Sequence, residues 1–143
     1  MILSAILDTV GARVEVDRRF SATGLEPDGY IELRYNDKTH FFYIEYDRTK
    51  KRDKWVRKMR RYPDFLDEYH EKLTGVGYAL VLCFAVGGEA HAFELATWTG
   101  EMMEGEELTG YNELFLMTGE KDNLFEGEVW RNPLGKGKVR LFD

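Results

Sequence analysis

Residues 78–86 read YALVLCFAV. The run is uncharged and almost wholly apolar, yet far short of the eighteen or so residues a membrane span requires. It is expected to be a central strand buried on both faces, so the chain must supply a covering layer on each side of a sheet. Upstream, YIELRY places Ile31, Leu33 and Tyr35 on one face. HFFYIEYD then returns after the turn residues 36–38, so 29–47 reads as a β-hairpin. Between hairpin and central strand, Trp55, Met59, Tyr62, Leu66, Tyr69 and Leu73 recur at intervals of four and three, the spacing of one apolar helix face. Pro63 falls inside that stretch and predicts a kink or two successive helices. A hairpin, a helical crossover and a central strand together predict an α/β protein, a mixed β-sheet flanked by helices.

The flanking segments are less constrained. Residues 2–10 read as a helix and ARVEVD as a first strand with Val14 and Val16 inward, while Gly24, Pro27 and Gly29 punctuate a turn. After 86, AHAFELATW alternates and is expected to be a strand. The segment 100–110 reads as an acidic loop, NELFLMT and EGEVW as short strands, and GKGKVRLFD as a tail or edge strand. The 143 residues, 43% of them hydrophobic, suit one domain, 1–143, with an ample core. Cys83 is the sole cysteine and is expected to be a buried small hydrophobe. The lack of a leader-like N-terminus and of a membrane span predicts a cytoplasmic protein.

Charge is distributed unevenly. Residues 48–61 hold nine basic residues and one acid, a net of +8, against −6 for the whole chain. A cationic stripe on an acidic protein predicts a polyanionic partner. The alternative is a solvated helix face paired with acids elsewhere; if the partner is the DNA that the resemblance given below implies, Arg48, Lys50, Lys51, Arg52, Lys54, Arg57, Arg60 and Arg61 neutralise its phosphates. Directly before the stripe stand Glu45 and Asp47, which share a strand face because side chains alternate. Asp28 enters the preceding strand, and the hairpin is expected to bring it beside Asp47. Three carboxylates at one end of two strands repel one another unless a cation intervenes. Hard oxygen ligands suit Mg²⁺ or Mn²⁺ bound by Asp28, Glu45 and Asp47, with a lysine or arginine close by to complement charge on a phosphate. His40, His70 and His91 are scattered without zinc-site spacing, and VGGEA lacks the lysine of a phosphate-binding loop.

Pro27 and Asp28, then Glu45, Asp47, Arg48 and Thr49, then Lys58, Met59 and Tyr62 resemble the core of the replication-relaxation family of plasmid and mobile-element proteins. That core is similar in plan to the PD-(D/E)xK nuclease superfamily. The resemblance implies a restriction-endonuclease-like fold and a metal-dependent, DNA-cleaving centre of Asp28, Glu45, Asp47 and Lys58. Asp47 stands where the superfamily has its lysine, and Lys58 on the following helix would restore the missing cation. Glu15 is a further candidate acid. Relatives usually carry a winged-helix region, so the chain is expected to be the nuclease-like domain alone or a truncated relative. A lapsed nuclease that binds DNA, or a replication or mobilisation protein, without cutting is the rival reading. A third has the basic helix meeting an acidic partner, with the 100–110 segment of a second copy in a homodimer as one form.

Overall fold

The computed structural model describes residues 13–14, 25–35, 37–70 and 78–142. The expected helix at 2–10, Glu15, Val16 and Leu73 lie outside these residues, as does the side chain of Val14.

Among the described residues seven strands form one mixed sheet in which spatial order follows chain order. They are β1 (Arg13–Val14), β2 (Gly29–Tyr35), β3 (Lys38–Asp47), β4 (Tyr78–Ala85), β5 (Phe115–Thr118), β6 (Trp130–Arg131) and β7 (Lys138–Val139). The pair β2/β3 is the predicted hairpin, antiparallel with Tyr35 opposite Lys38 and Gly29 opposite Ile44. Asp37, in its turn, takes a left-handed φ of 61°, which aspartate tolerates better than most residues. Strand β4 runs parallel to β3, and β5 runs parallel to β4. A parallel neighbour requires a crossover, and both crossovers here are helical.

The first crossover contains α1 (Arg52–Met59), α2 (Tyr62–Phe65) and a π-helical turn at Leu66–His70. Helix α1 buries Trp55, Val56 and Met59. Asp53 in its first turn and Arg57 and Lys58 in its last suit the helix dipole. Pro63 has no N–H to offer the Met59 carbonyl four residues earlier, so α1 ends at Met59 and a second helix begins, as predicted.

The second crossover departs from expectation. AHAFELATW is not a strand but the start of α3 (Glu89–Gly105), which also absorbs the first half of the supposed acidic loop. Its buried face consists of His91, Ala92, Leu95, Ala96, Thr99, Gly100, Met102 and Met103. That is helical spacing built on small residues, while the bulky Phe93 is 58% exposed. A 3₁₀ turn, Thr109–Leu114, leads into β5.

Side chains on β3 alternate between two cores. Phe41 and Tyr43 join Trp55, Met59 and Leu95 under the helices. Phe42 and Ile44 face the other way, joining Leu82, Leu124, Phe125 and Leu141. The central strand is thus covered on both sides, by α1 and α3 on one face and the C-terminal segment on the other. Among the described residues no helix is long and apolar enough to cross a membrane.

Candidate nucleic-acid interface

The carboxyl ends of β3 and β4 lie side by side, with Asp47 opposite Ala85. Ligand crevices in open α/β sheets form just beyond such ends. Here a cleft of about 440 Å³ is lined by Asp28, Tyr46, Asp47, Arg48, Thr49, Lys54, Trp55 and Lys58. Lys54 and Lys58 stand one helical turn apart on α1 and therefore share a face.

Glu45 lies on the helix-facing side of β3 and is fully buried. The hairpin register that pairs Gly29 with Ile44 places Asp28 against Glu45 and Tyr46, not beside Asp47 as expected from sequence. Asp28 Oδ2 accepts the Tyr46 backbone N–H at 2.8 Å. Lys58 Nζ then spans the two acids, 2.7 Å from Glu45 Oε1 and 3.2 Å from Asp28 Oδ2. The Tyr62 hydroxyl, four residues beyond Lys58 and past the helix break, donates to Glu45 Oε2. Burial raises the Glu45 carboxyl to about 7, and the attraction of Lys58 only partly offsets it. Burial works against the charge on Lys58, but the adjoining Glu45 and Asp28 outweigh it and raise its pKa. Burial also raises the Tyr62 phenol well above its ordinary value, with Glu45 adding to the effect. The hydroxyl therefore keeps its proton and remains a donor.

Asp47 belongs to a different group. Its Oδ2 accepts His91 Nε2–H at 2.7 Å and the Lys50 backbone N–H at 3.1 Å. The other imidazole nitrogen, Nδ1, accepts the Gly87 N–H at 2.9 Å, which fixes the Nε2–H tautomer. His91 thus ties the end of β3 to the first turn of α3 and holds the 48–51 loop at the cleft mouth. Spacing along the chain gave no sign of this role for His91, because the partners are 44 residues apart. The only available signal was the combination of a buried-strand acid with a histidine soon after the adjoining parallel strand.

The metal expectation can be set against these donors. Among the described residues no group of three His, Cys, Asp or Glu side chains is placed to hold an ion. Two carboxylates suffice for Mg²⁺, which keeps several waters. Asp28 and Glu45 are hard oxygen donors of that kind. Glu45 Oε1 is buried and makes no hydrogen bond of good angle, even to the ammonium 2.7 Å away. The pair therefore fits Mg²⁺ or Mn²⁺ in chemistry, provided that Lys58 yields its position.

All eight expected phosphate contacts are exposed: Arg48, Lys50, Lys51, Arg52, Lys54, Arg57, Arg60 and Arg61. Arg52 pairs with Glu101 at 3.6 Å and Arg60 with Glu106 at 2.6 Å. Acids from the end of α3 and just beyond it are thus met by the basic helix of the same chain. Among the described residues Arg48, Lys50, Lys51, Lys54 and Arg57 make no ion pair.

The profile of the replication-relaxation family matches residues 9–80, just over half of the chain. The chain belongs to the replication-relaxation family. Asp28, Glu45, Asp47, Lys58 and Tyr62 all lie within the family match, whereas His91 and Thr99 lie beyond it. No curated protein matches the chain, and no solved structure does.

Proposed function

We propose that this replication-relaxation protein binds DNA along α1 and the 48–51 loop, in the replication of a plasmid or mobile element. One observation carries the reading: five exposed cations without ion-pair partners among the described residues of an acidic chain, two of which, Arg48 and Lys54, line one cleft. Left alone they repel one another, and a run of backbone phosphates relieves that repulsion while releasing condensed counterions. Fluorescence anisotropy with a labelled oligonucleotide between 50 and 200 mM salt tests it. Each neutralised phosphate contributes about 0.9 to the log–log slope, so the paired change K54E/R57E should lower the slope by about two. Binding that ignores salt, or none at 50 mM, refutes the proposal.

A second reading is favoured by the meeting of Asp28 and Lys58, which line the cleft, with the buried Glu45. In it the protein also hydrolyses a phosphodiester on a restriction-endonuclease-like plan, with Asp28 and Glu45 on adjoining strands holding Mg²⁺ or Mn²⁺. The ion, when bound, would supply charge stabilisation at the phosphate. Glu45 is poised near neutrality by burial, the range in which a carboxyl can exchange a proton with solvent or substrate. Asp47, held by His91, orders the 48–51 loop in this reading. Nicking of supercoiled plasmid in Mn²⁺ that disappears in Glu45→Gln supports hydrolysis. Salt-dependent binding without nicking in either ion leaves a DNA-binding module.

A further inference from the structure

Asp28, which lines the cleft, and the buried Glu45 already share a cation. The Lys58 ammonium lies 2.7 Å from Glu45 Oε1 and 3.2 Å from Asp28 Oδ2. A divalent ion held by Asp28 and Glu45 would take up the carboxylate charge that Lys58 now contacts. Two cations that close to the same atoms repel strongly in a partly desolvated site, so only one can be resident. Glu45 Oε1 is buried without a hydrogen bond of good angle. On exchange Lys58 gives up its hydrogen bond to Asp28 Oδ2 at 3.2 Å and its charge contact with Glu45 Oε1 at 2.7 Å, and the charge of the ion must replace both. Lys58 also has room to leave. Its side chain is 31% exposed and lines the same cleft as Arg48 and Lys54.

We propose that Lys58 and a divalent cation are alternative occupants of the Asp28–Glu45 pair, and that entry of the ion expels the ammonium into the cleft as a phosphate contact. This rests on the reading of the cleft as a DNA site. Without the ion, Lys58 is spent on its own chain's acids. With it, the acids are neutralised by the ion and Lys58 joins Arg48 and Lys54 facing the phosphates. Ion and DNA then bind cooperatively, and the coupling is reciprocal: each strengthens the other by the same factor.

Mn²⁺ is the probe, with free ion followed by electron paramagnetic resonance on the full chain at pH 8. Removing the resident cation in Lys58→Met should tighten Mn²⁺ binding at least tenfold, and Lys58→Gln should do the same if the methionine variant fails to fold. In the wild type, a 20-mer DNA should lower the Mn²⁺ Kd severalfold, and this gain should vanish in the Lys58 variants. Equal or weaker Mn²⁺ binding by folded Lys58 variants overturns the exchange. So does a DNA effect that persists without Lys58. DNA binding measured in EDTA separates the two readings. If it is intact while Lys58 variants bind Mn²⁺ no tighter, the exchange fails and the DNA site stands. If no DNA binding is seen either in EDTA or with Mn²⁺ restored, the DNA site fails, and with it the release of Lys58 to phosphate.

Discussion

Glu45→Gln offers a quantitative test of the site because the substitution removes one titration, and with it the ion pair to Lys58, while keeping the shape of the side chain. The carboxyl is fully buried, accepts from Tyr62 and faces Lys58. Burial lifts its pKa from 4.5 to about 7. At about 1.4 kcal/mol per pH unit, that displacement corresponds to about 3 kcal/mol. The folded pKa is raised, so between pH 4.5 and 7 the native state keeps a proton that the unfolded chain has released. The contribution of Glu45 to stability is therefore greatest below 4.5, declines across that window and is flat above 7. Glutamine can still accept from Tyr62 but has nothing to titrate. Urea denaturation of both proteins from pH 4.5 to 8 measures the effect. The wild-type stability minus that of the variant should fall by about 3 kcal/mol across the window, equivalent to about 10 °C in Tm for a chain of this size. Other carboxylates titrate in both proteins and cancel. A difference that stays flat within about 1 kcal/mol would mean that Glu45 is not desolvated by the fold, and the buried-site argument would fail.

Three further outcomes follow from the packing. Thr99 Oγ1 accepts the buried Trp55 indole N–H at 2.9 Å, so Thr99→Val should cost about 2 kcal/mol in chemical denaturation by orphaning that donor. His91→Ala removes the imidazole donor from Asp47 and should cost about 3 kcal/mol; faster amide exchange at Lys50, whose N–H bonds the same carboxylate, would locate the damage. A Cβ at Gly119 would fall 2.1 Å from the Gly88 carbonyl carbon and 2.3 Å from its oxygen. Gly119→Ala should therefore lower stability by about 2 kcal/mol or more, and an unchanged Tm would refute that close approach.

The hairpin, the split helix and the doubly buried strand were legible because each rests on local rules: alternation, helical spacing, and the missing N–H of Pro63. The register of the hairpin was not. A closing turn displaced by one residue changes which acids adjoin, and the sequence around Asp37 permits more than one closure. Asp28 consequently meets Glu45 and Lys58, while Asp47 is claimed by His91 from a distant helix. Helix α3 was misread for a different reason. Half of its buried face is Ala92, Ala96, Thr99 and Gly100, whose small side chains allow close packing but weaken the helical hydropathy pattern, and its most conspicuous aromatic, Phe93, points outward. The basic stripe was visible as composition. That five of its members are left without acids among the described residues, while Arg52 and Arg60 are neutralised by α3, depended on the fold.

Because spatial order in the sheet repeats chain order, among the described residues no strand is threaded between two that precede it. A polypeptide emerging from the ribosome can lay down each strand against the edge left by the previous one, without reopening a finished pair. Asp28, Glu45 and Lys58 would all be synthesised before β4 exists to cover Glu45. Until β4 arrives, water still reaches that carboxylate and shields its charge.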